Sequence, residues 1–259
     1  MKKLSFFMSL LLLALPLSAN AAIARIQVEH QYIASSGTSY AFSSNNTAGN
    51  FIIVSVLSTG GISISYSVSD TQGNSYTPLT LDSVCMAGGG GSCQQTFYAP
   101  NIKAGANSII VTYSNTTDVG FTAVEYSGIK TSSPLDVEAT PFMNGGASTN
   151  VAQSTIFSPQ AGSLIFSSLS SEFNNPGVTT GTNITVFQSD LAHADIEGDN
   201  LSATAGSQQT VFNAANSMAF FSVTAEAFLP APAPGTPTPK FQILKGKFTL
   251  AAGKLTIMN

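Results

Sequence analysis

Apolar and hydroxyl residues alternate without a break in Ile62-Ser63-Ile64-Ser65-Tyr66-Ser67-Val68-Ser69. Successive strand side chains point to opposite faces, so this run predicts a β-strand. Ile62, Ile64, Tyr66 and Val68 face a core and the serines face water. Asp70-Thr71-Gln72-Gly73-Asn74 follows as a turn of residues that tolerate tight backbone angles, and 75–81 resumes as a strand. Further strands are predicted at 24–32, 40–43, 51–57, 94–99, 107–114 and 120–126. The second half offers 151–157, 163–169, 183–189, 190–197, 209–213 and 218–228. Gly, Asn, Ser and Pro punctuate them at the spacing of a sandwich or barrel. No helical stripe with caps interrupts the series, and βαβ alternation is absent, so the strands are expected to be antiparallel.

The pattern carries a faint internal echo. Ala48-Gly49-Asn50 precedes the apolar run Phe51-Ile52-Ile53-Val54, and Ala161-Gly162-Ser163 precedes Leu164-Ile165-Phe166. Each half closes on aromatic, Glu, aromatic: Phe121, Glu125, Tyr126, then Phe221, Glu226, Phe228. The echo reads either as an old duplication or as two strands with similar jobs.

The ends read differently from the middle. Lys2 and Lys3 precede a nearly all-apolar stretch at 4–17, and Ser18-Ala19-Asn20-Ala21 supplies the small-x-small pattern of a signal-peptidase site. The apolar run is shorter than the ~20 residues that span a bilayer. We therefore expect a signal peptide at 1–21, a β-sandwich region at 22–229 and an exported protein, periplasmic, secreted or on the cell surface. The prolines at 230–239 predict an extended linker. Beyond it, 241–244, 247–250 and 254–258 read as short strands. Ala251-Ala252-Gly253 turns the last two into a hairpin within a basic tail at 240–259.

Composition sharpens this picture. Only 8% of residues are charged, and 43% are hydrophobic. Ser, Thr and Asn disfavour helices, while β-branched residues suit strands. All 13 acidic residues lie between Glu29 and Glu226, against Arg25, Lys103 and Lys130. Such a body repels phosphate backbones, which argues against nucleic-acid binding. The tail holds Lys240, Lys245, Lys247 and Lys254 with no acid, suited to an acidic polymer or to the body itself. Cys85 and Cys93 bracket a glycine-rich loop and predict a disulfide in an exported chain. All seven tyrosines fall at or before Tyr126, so an amphipathic surface is expected in the first half.

Several phrases, taken in order, resemble a family of β-sandwich domains in bacterial secreted and surface proteins. They are Ala48-Gly49-Asn50, Asp70 through Tyr76, Tyr98-Ala99-Pro100-Asn101 and Ala104-Gly105-Ala106-Asn107 before Ile109-Ile110-Val111-Thr112. Then come Glu125-Tyr126-Ser127-Gly128, Ser132-Ser133-Pro134-Leu135-Asp136, Ala161-Gly162-Ser163-Leu164 and Ala227-Phe228. The resemblance covers roughly residues 22–229 and implies a jelly-roll-like sandwich. It brings no settled activity and no catalytic residue. The chain departs from it in having one copy and its own basic tail.

Candidate chemistry is sparse. No Gly-x-Ser-x-Gly elbow occurs. The two histidines are His30 and His193, and His193 beside Asp190 and Asp195 sits in an acidic turn. Glu125, Asp136, Glu138 and Glu172 are the carboxylates from which a glycosidase pair would be drawn, but no spacing selects two of them. Glu125 is expected on the solvated face of its strand, away from Val124 and Tyr126. Asp195, Glu197, Asp199 and Asn200 place oxygens as a calcium loop does, without the twelfth-position acid of an EF-hand. Tyr76, Tyr98 and Tyr126 are the candidate sugar platforms. The expected function is a non-catalytic interaction, adhesion or matrix module. The alternatives are a glycan-binding protein, calcium-assisted or not, and a structural subunit assembling through its tail. The partner would be an extracellular glycan or surface protein.

Overall fold

The computed structural model describes residues 20–33, 35–59, 63–86, 92–114, 118–171, 177–190, 195–233, 247–251 and 254–258. Residues 1–19 of the expected signal peptide at 1–21, Ile62, the glycines at 88–91, Glu172, His193 and the expected strand at 241–244 lie outside them. Among the described residues every regular element is a strand, and every strand pairing is antiparallel. The chain forms an all-β sandwich. Residues Asn20–Pro232 make one compact unit. Its first half contains β1 (Ala24–Ile33), β2 (Ser39–Ala41), β3 (Phe51–Thr59), β4 (Tyr66–Asp70), β5 (Thr77–Pro78), β6 (Val84–Met86), β7 (Ser92–Ala99), β8 (Ser108–Tyr113) and β9 (Asp118–Ser127). Its second half contains β10 (Leu135–Glu138), β11 (Phe142–Gln153), β12 (Leu164–Ser171), β13 (Val178–Thr182), β14 (Thr185–Asp190), β15 (Asp195–Asn200) and β16 (Val211–Phe228). In the tail, β17 (Lys247–Ala251) and β18 (Lys254–Met258) pair as the expected hairpin, with Leu250 opposite Leu255.

The two halves are built to one plan. The first has a sheet ordered β1-β9-β3-β7-β5, and the second has β10-β16-β12-β15-β14. In both, the strand after the Ala-Gly-Asn or Ala-Gly-Ser phrase, β3 or β12, lies at the centre beside the last strand of its half. The covering layer is β2-β8-β4 in the first half. In the second, the start of β16 takes the place of β8: its residues Val211 to Ala214 pair with β11 on one side and β13 on the other. β16 is one continuous 18-residue strand serving both layers, where two strands were expected. The echo in the sequence is thus a repeat of topology. The register also corrects it. Phe51 lies opposite Tyr126 and Leu164 opposite Phe228, so Glu125 corresponds to Ala227 and Glu226 to Val124. The two glutamates occupy opposite faces.

Even the irregularities recur. In β1 the register slips between Arg25, opposite Tyr126, and Gln27, opposite Glu125. In β10 it slips between Leu135, opposite Phe228, and Val137, opposite Ala227. Without a bulge, residues two apart share a face; the extra residue divides them. Arg25 and Leu135 consequently turn toward the other half, while Gln27 and Val137 turn into their own.

Three cores result. Ile52, Val54, Val56, Phe121 and Ala123 pack against Ile109 and Val111 inside the first sandwich. Ile165, Leu169, Ile196, Val223 and Ala225 pack against Phe212 and Val178 inside the second. The third core is the seam where the two larger sheets meet, with Phe51, Ile53, Val124 and Tyr126 on one side and Leu164, Phe166 and Phe228 on the other. Central strands buried on both faces lose alternation: the first eight residues of β3 and all eight of β12 are buried. Gly120 permits the closest approach, since a methyl group there would run into the Asp195 carboxylate across the seam. The expected linker begins as part of the body: Pro230 bridges to Ile129, and the Ala231 amide donates to the Gly128 carbonyl at 2.7 Å.

Burying a phenylalanine or isoleucine side chain contributes about 1.5–3 kcal/mol by transfer alone, and emptying such a site adds a cavity. Phe166→Ala, at a fully buried seam position, should therefore cost about 3–5 kcal/mol in urea unfolding. Met143→Ala, at a position 54% exposed, should stay within about 0.5 kcal/mol.

Candidate functional site

The bulge in β1 delivers Arg25 to one rim of the seam. Its Nε lies 3.4 Å from Asp199 Oδ2, and its guanidinium stacks 4.2 Å above the centre of the Phe187 ring. Tyr126, opposite Arg25 in register, donates its hydroxyl to the same Asp199 oxygen at 2.9 Å. Burial pushes the Asp199 carboxyl above its usual range, while Arg25 and the Tyr126 hydroxyl pull it down. Burial and the neighbouring Asp199 push the Tyr126 phenol far above its ordinary value, so it remains a donor at physiological pH.

Arg25 and Asp199 line an open cleft of about 530 Å³, together with Asn183, Asn200, Leu201 and Ser202. Two of its amides are pinned at one end. Asn183 Nδ2 donates to the Gln209 carbonyl at 2.8 Å, and Asn200 Oδ1 accepts from the Ser202 amide at 3.0 Å. The other ends of these amides are an acceptor, Asn183 Oδ1, and a donor, Asn200 Nδ2, on residues that line the cleft. Arg25 adds its fork, and Leu201 adds an apolar wall. Neutral donors and acceptors beside apolar surface suit a hydroxyl-bearing ligand.

Elsewhere the carboxylates brace loops. Glu125 does face away from Val124 and Tyr126, but it is fully buried rather than solvated. It accepts from Gln27 Nε2 at 2.6 Å, Asn46 Nδ2 at 2.7 Å, the Thr47 amide at 2.9 Å and Asn50 Nδ2 at 2.6 Å. Asp70 accepts from the Asn74 amide and side chain, the Tyr76 hydroxyl and Asn107 Nδ2. Burial works to raise the Asp70 pKa, but these donors win and hold it below the usual carboxylate range. Asp136 ties Gln160 and Ser163, and Glu138 accepts the Leu81 amide at 2.9 Å. Several phrases behind the family resemblance are these carboxylate-centred knots.

The other expected residues fall as follows. Cys85 and Cys93 form a disulfide between paired positions of β6 and β7. Tyr126 is fully buried, Tyr98 stacks on Phe51 and meets Phe228 edge-on, and Tyr76 is spent on Asp70. Their rings are thus packing elements. The run Asp195 to Asn200 is strand β15 rather than a loop. Asp195 and Asp199 point into the seam, at Gly120 and Tyr126. Among the described residues, no group of three or more His, Cys, Asp or Glu side chains is arranged to hold a metal ion. His30 Nδ1 lies 2.9 Å from Thr122 Oγ1.

Arg25 and Asn183 escaped the sequence reading. The available signal was the scarcity of cations: Arg25 is one of three between residues 22 and 229. No family model, curated protein or solved structure matches this chain.

Removing the Tyr126 hydroxyl strips a buried carboxylate of a donor at no cost in ring packing. Tyr126→Phe should lower stability by about 1–3 kcal/mol, read as a reduced urea midpoint with an unchanged slope.

Proposed function

We propose that this chain is an exported, non-catalytic interaction module of the cell surface or matrix, engaging its partner at the Arg25 cleft. The single observation that carries the reading is that cleft: a pinned arginine, two amides fixed at one end and an apolar wall at the rim of a rigid seam. Sites on preorganised scaffold strands lose little freedom on binding. The non-catalytic part is supported by the use to which the candidate acids are put. Glu125, Asp136 and Glu138 already accept backbone or side-chain donors that hold loops in place.

The same lining favours a glycan as the ligand over a purely protein surface. Asn amides and an Arg fork match vicinal hydroxyls, and Leu201 matches the apolar face of a sugar ring. Calcium assistance belongs to this reading as a variable to be tested. The third reading, a structural subunit, rests on the basic tail, whose paired strands β17 and β18 would need a partner surface, because an isolated hairpin is marginal alone.

The test is retention of the full-length exported protein on a broad glycan panel, with calcium and with chelator. We expect specific retention that falls at least about tenfold, or ~1.4 kcal/mol, in Arg25→Gln and in Asn200→Ala but not in Lys103→Gln. Retention indifferent to both cleft substitutions would place binding elsewhere. Absence of any retention would turn the search to protein partners and to the tail.

A further inference from the structure

Asp82, in the loop between β5 and β6, is fully buried, and so is Glu226 of β16. They come from opposite halves and meet in the seam, with the Thr96 hydroxyl of β7 alongside. Beyond that hydroxyl, their four carboxyl oxygens meet no N–H or hydroxyl donor. The third titratable group at the spot is Glu138, opposite Glu226 in register. It brings more negative charge and accepts the Leu81 amide at 2.9 Å. Farther along the same face stand Asp195, Glu197 and Asp199, and Arg25 pairs with Asp199 at 3.4 Å. Two dehydrated carboxylates in contact cannot both ionise: desolvation and mutual repulsion each cost several kcal/mol. An O–H···O bond between one acid and one carboxylate satisfies both groups with a single proton.

We infer that one proton shared between Asp82 and Glu226 clasps the two sandwiches together, making the seam a pH-sensitive joint that loosens as the surroundings turn alkaline. The direction follows from linkage. Burial, then the Glu138 charge, raise the Asp82 carboxyl, while the hydrogen bond with Glu226 and the nearby Thr96 hydroxyl pull it down; the balance leaves it pushed up to about 7. Burial and the Asp82 charge move Glu226 well above its ordinary value. In the unfolded chain both acids titrate near 4. Between those limits the folded protein holds more protons than the unfolded one, so stability falls as pH rises. Asp199, also raised, contributes in the same sense. Asp70, which is lowered, acts in the opposite sense and only at acidic pH.

The experiment is urea unfolding of the full chain from about pH 5 to about pH 8, with and without chelator, for wild type, Glu226→Gln and Asp82→Asn. In either variant an amide donates to the remaining carboxylate at every pH and needs no shared proton. We expect the wild-type midpoint to fall across this range and both variants to flatten the fall, so that Glu226→Gln exceeds wild type at the alkaline end. Infrared spectra of the native protein near pH 6 should carry a protonated-carboxyl band that both variants lose, a readout independent of refolding. A flat wild-type profile would overturn the clasp. So would the absence of that band, or a chelator-dependent midpoint revealing a cation between the two acids.

Discussion

Two central strands, β3 and β12, are buried on both of their faces, and the rest of the molecule follows from that constraint. A sheet covered on one side keeps one face for water. Here each larger sheet has its own half's covering layer on one side and its counterpart from the other half on the other. The apolar seam stacks Phe51, Ile53, Val124 and Tyr126 against Leu164, Phe166 and Phe228. It continues into a polar stretch, where Ser168 donates to Gln94 at 3.2 Å and to which Ser55, Thr122 and Thr224 also contribute their buried hydroxyls. Neither sandwich could expose that face without uncovering both kinds of surface, so the halves are bound to fold as one.

The same constraint explains how a chain with so few charges uses them. Acids inside each sandwich are saturated by amide donors, as Glu125 is, and they hold the loops that lead into the central strands. In the seam, Asp199 and the Asp82–Glu226 pair meet fewer donors. Asp199 is served by Arg25 and Tyr126 at the rim, where the joint opens into the cleft, and Asp82 meets Glu226 deeper in. The functional proposal and the pH-sensitive joint thus draw on one interface, at its open rim and in its closed interior.

Much of this was legible in the sequence. Alternation placed Tyr66 and Val68 against the first core with Ser67 and Ser69 exposed, and the apolar run at 51–57 became β3. The doubled sandwich left a trace in the Ala-Gly-Asn and Ala-Gly-Ser phrases, because both precede a central strand. What stayed hidden was the seam. Ser168 and Ser170 in β12, and Ser222, Thr224 and Glu226 in β16, are polar positions on central strands, and polarity alone does not reveal that a second sheet lies across them. Glu125 was misjudged for the same reason: its donors come from residues 75 to 98 positions away. The short strands β6, β10 and β13 escaped notice, since each owes its form to a partner distant in sequence. Arg25 was invisible as a site residue because a bulge, not the residue pattern, turns it toward Asp199.

The central claim is that the two sandwiches form one cooperative body through the seam, and native-state hydrogen exchange of the full chain tests it most directly. Amides of β3 and β12 should share the highest protection, exchange through the same global opening and respond alike to added denaturant. Exchange of β12 through an opening several kcal/mol cheaper than that of β3, with the first sandwich still protected, would contradict it and make the halves separable domains.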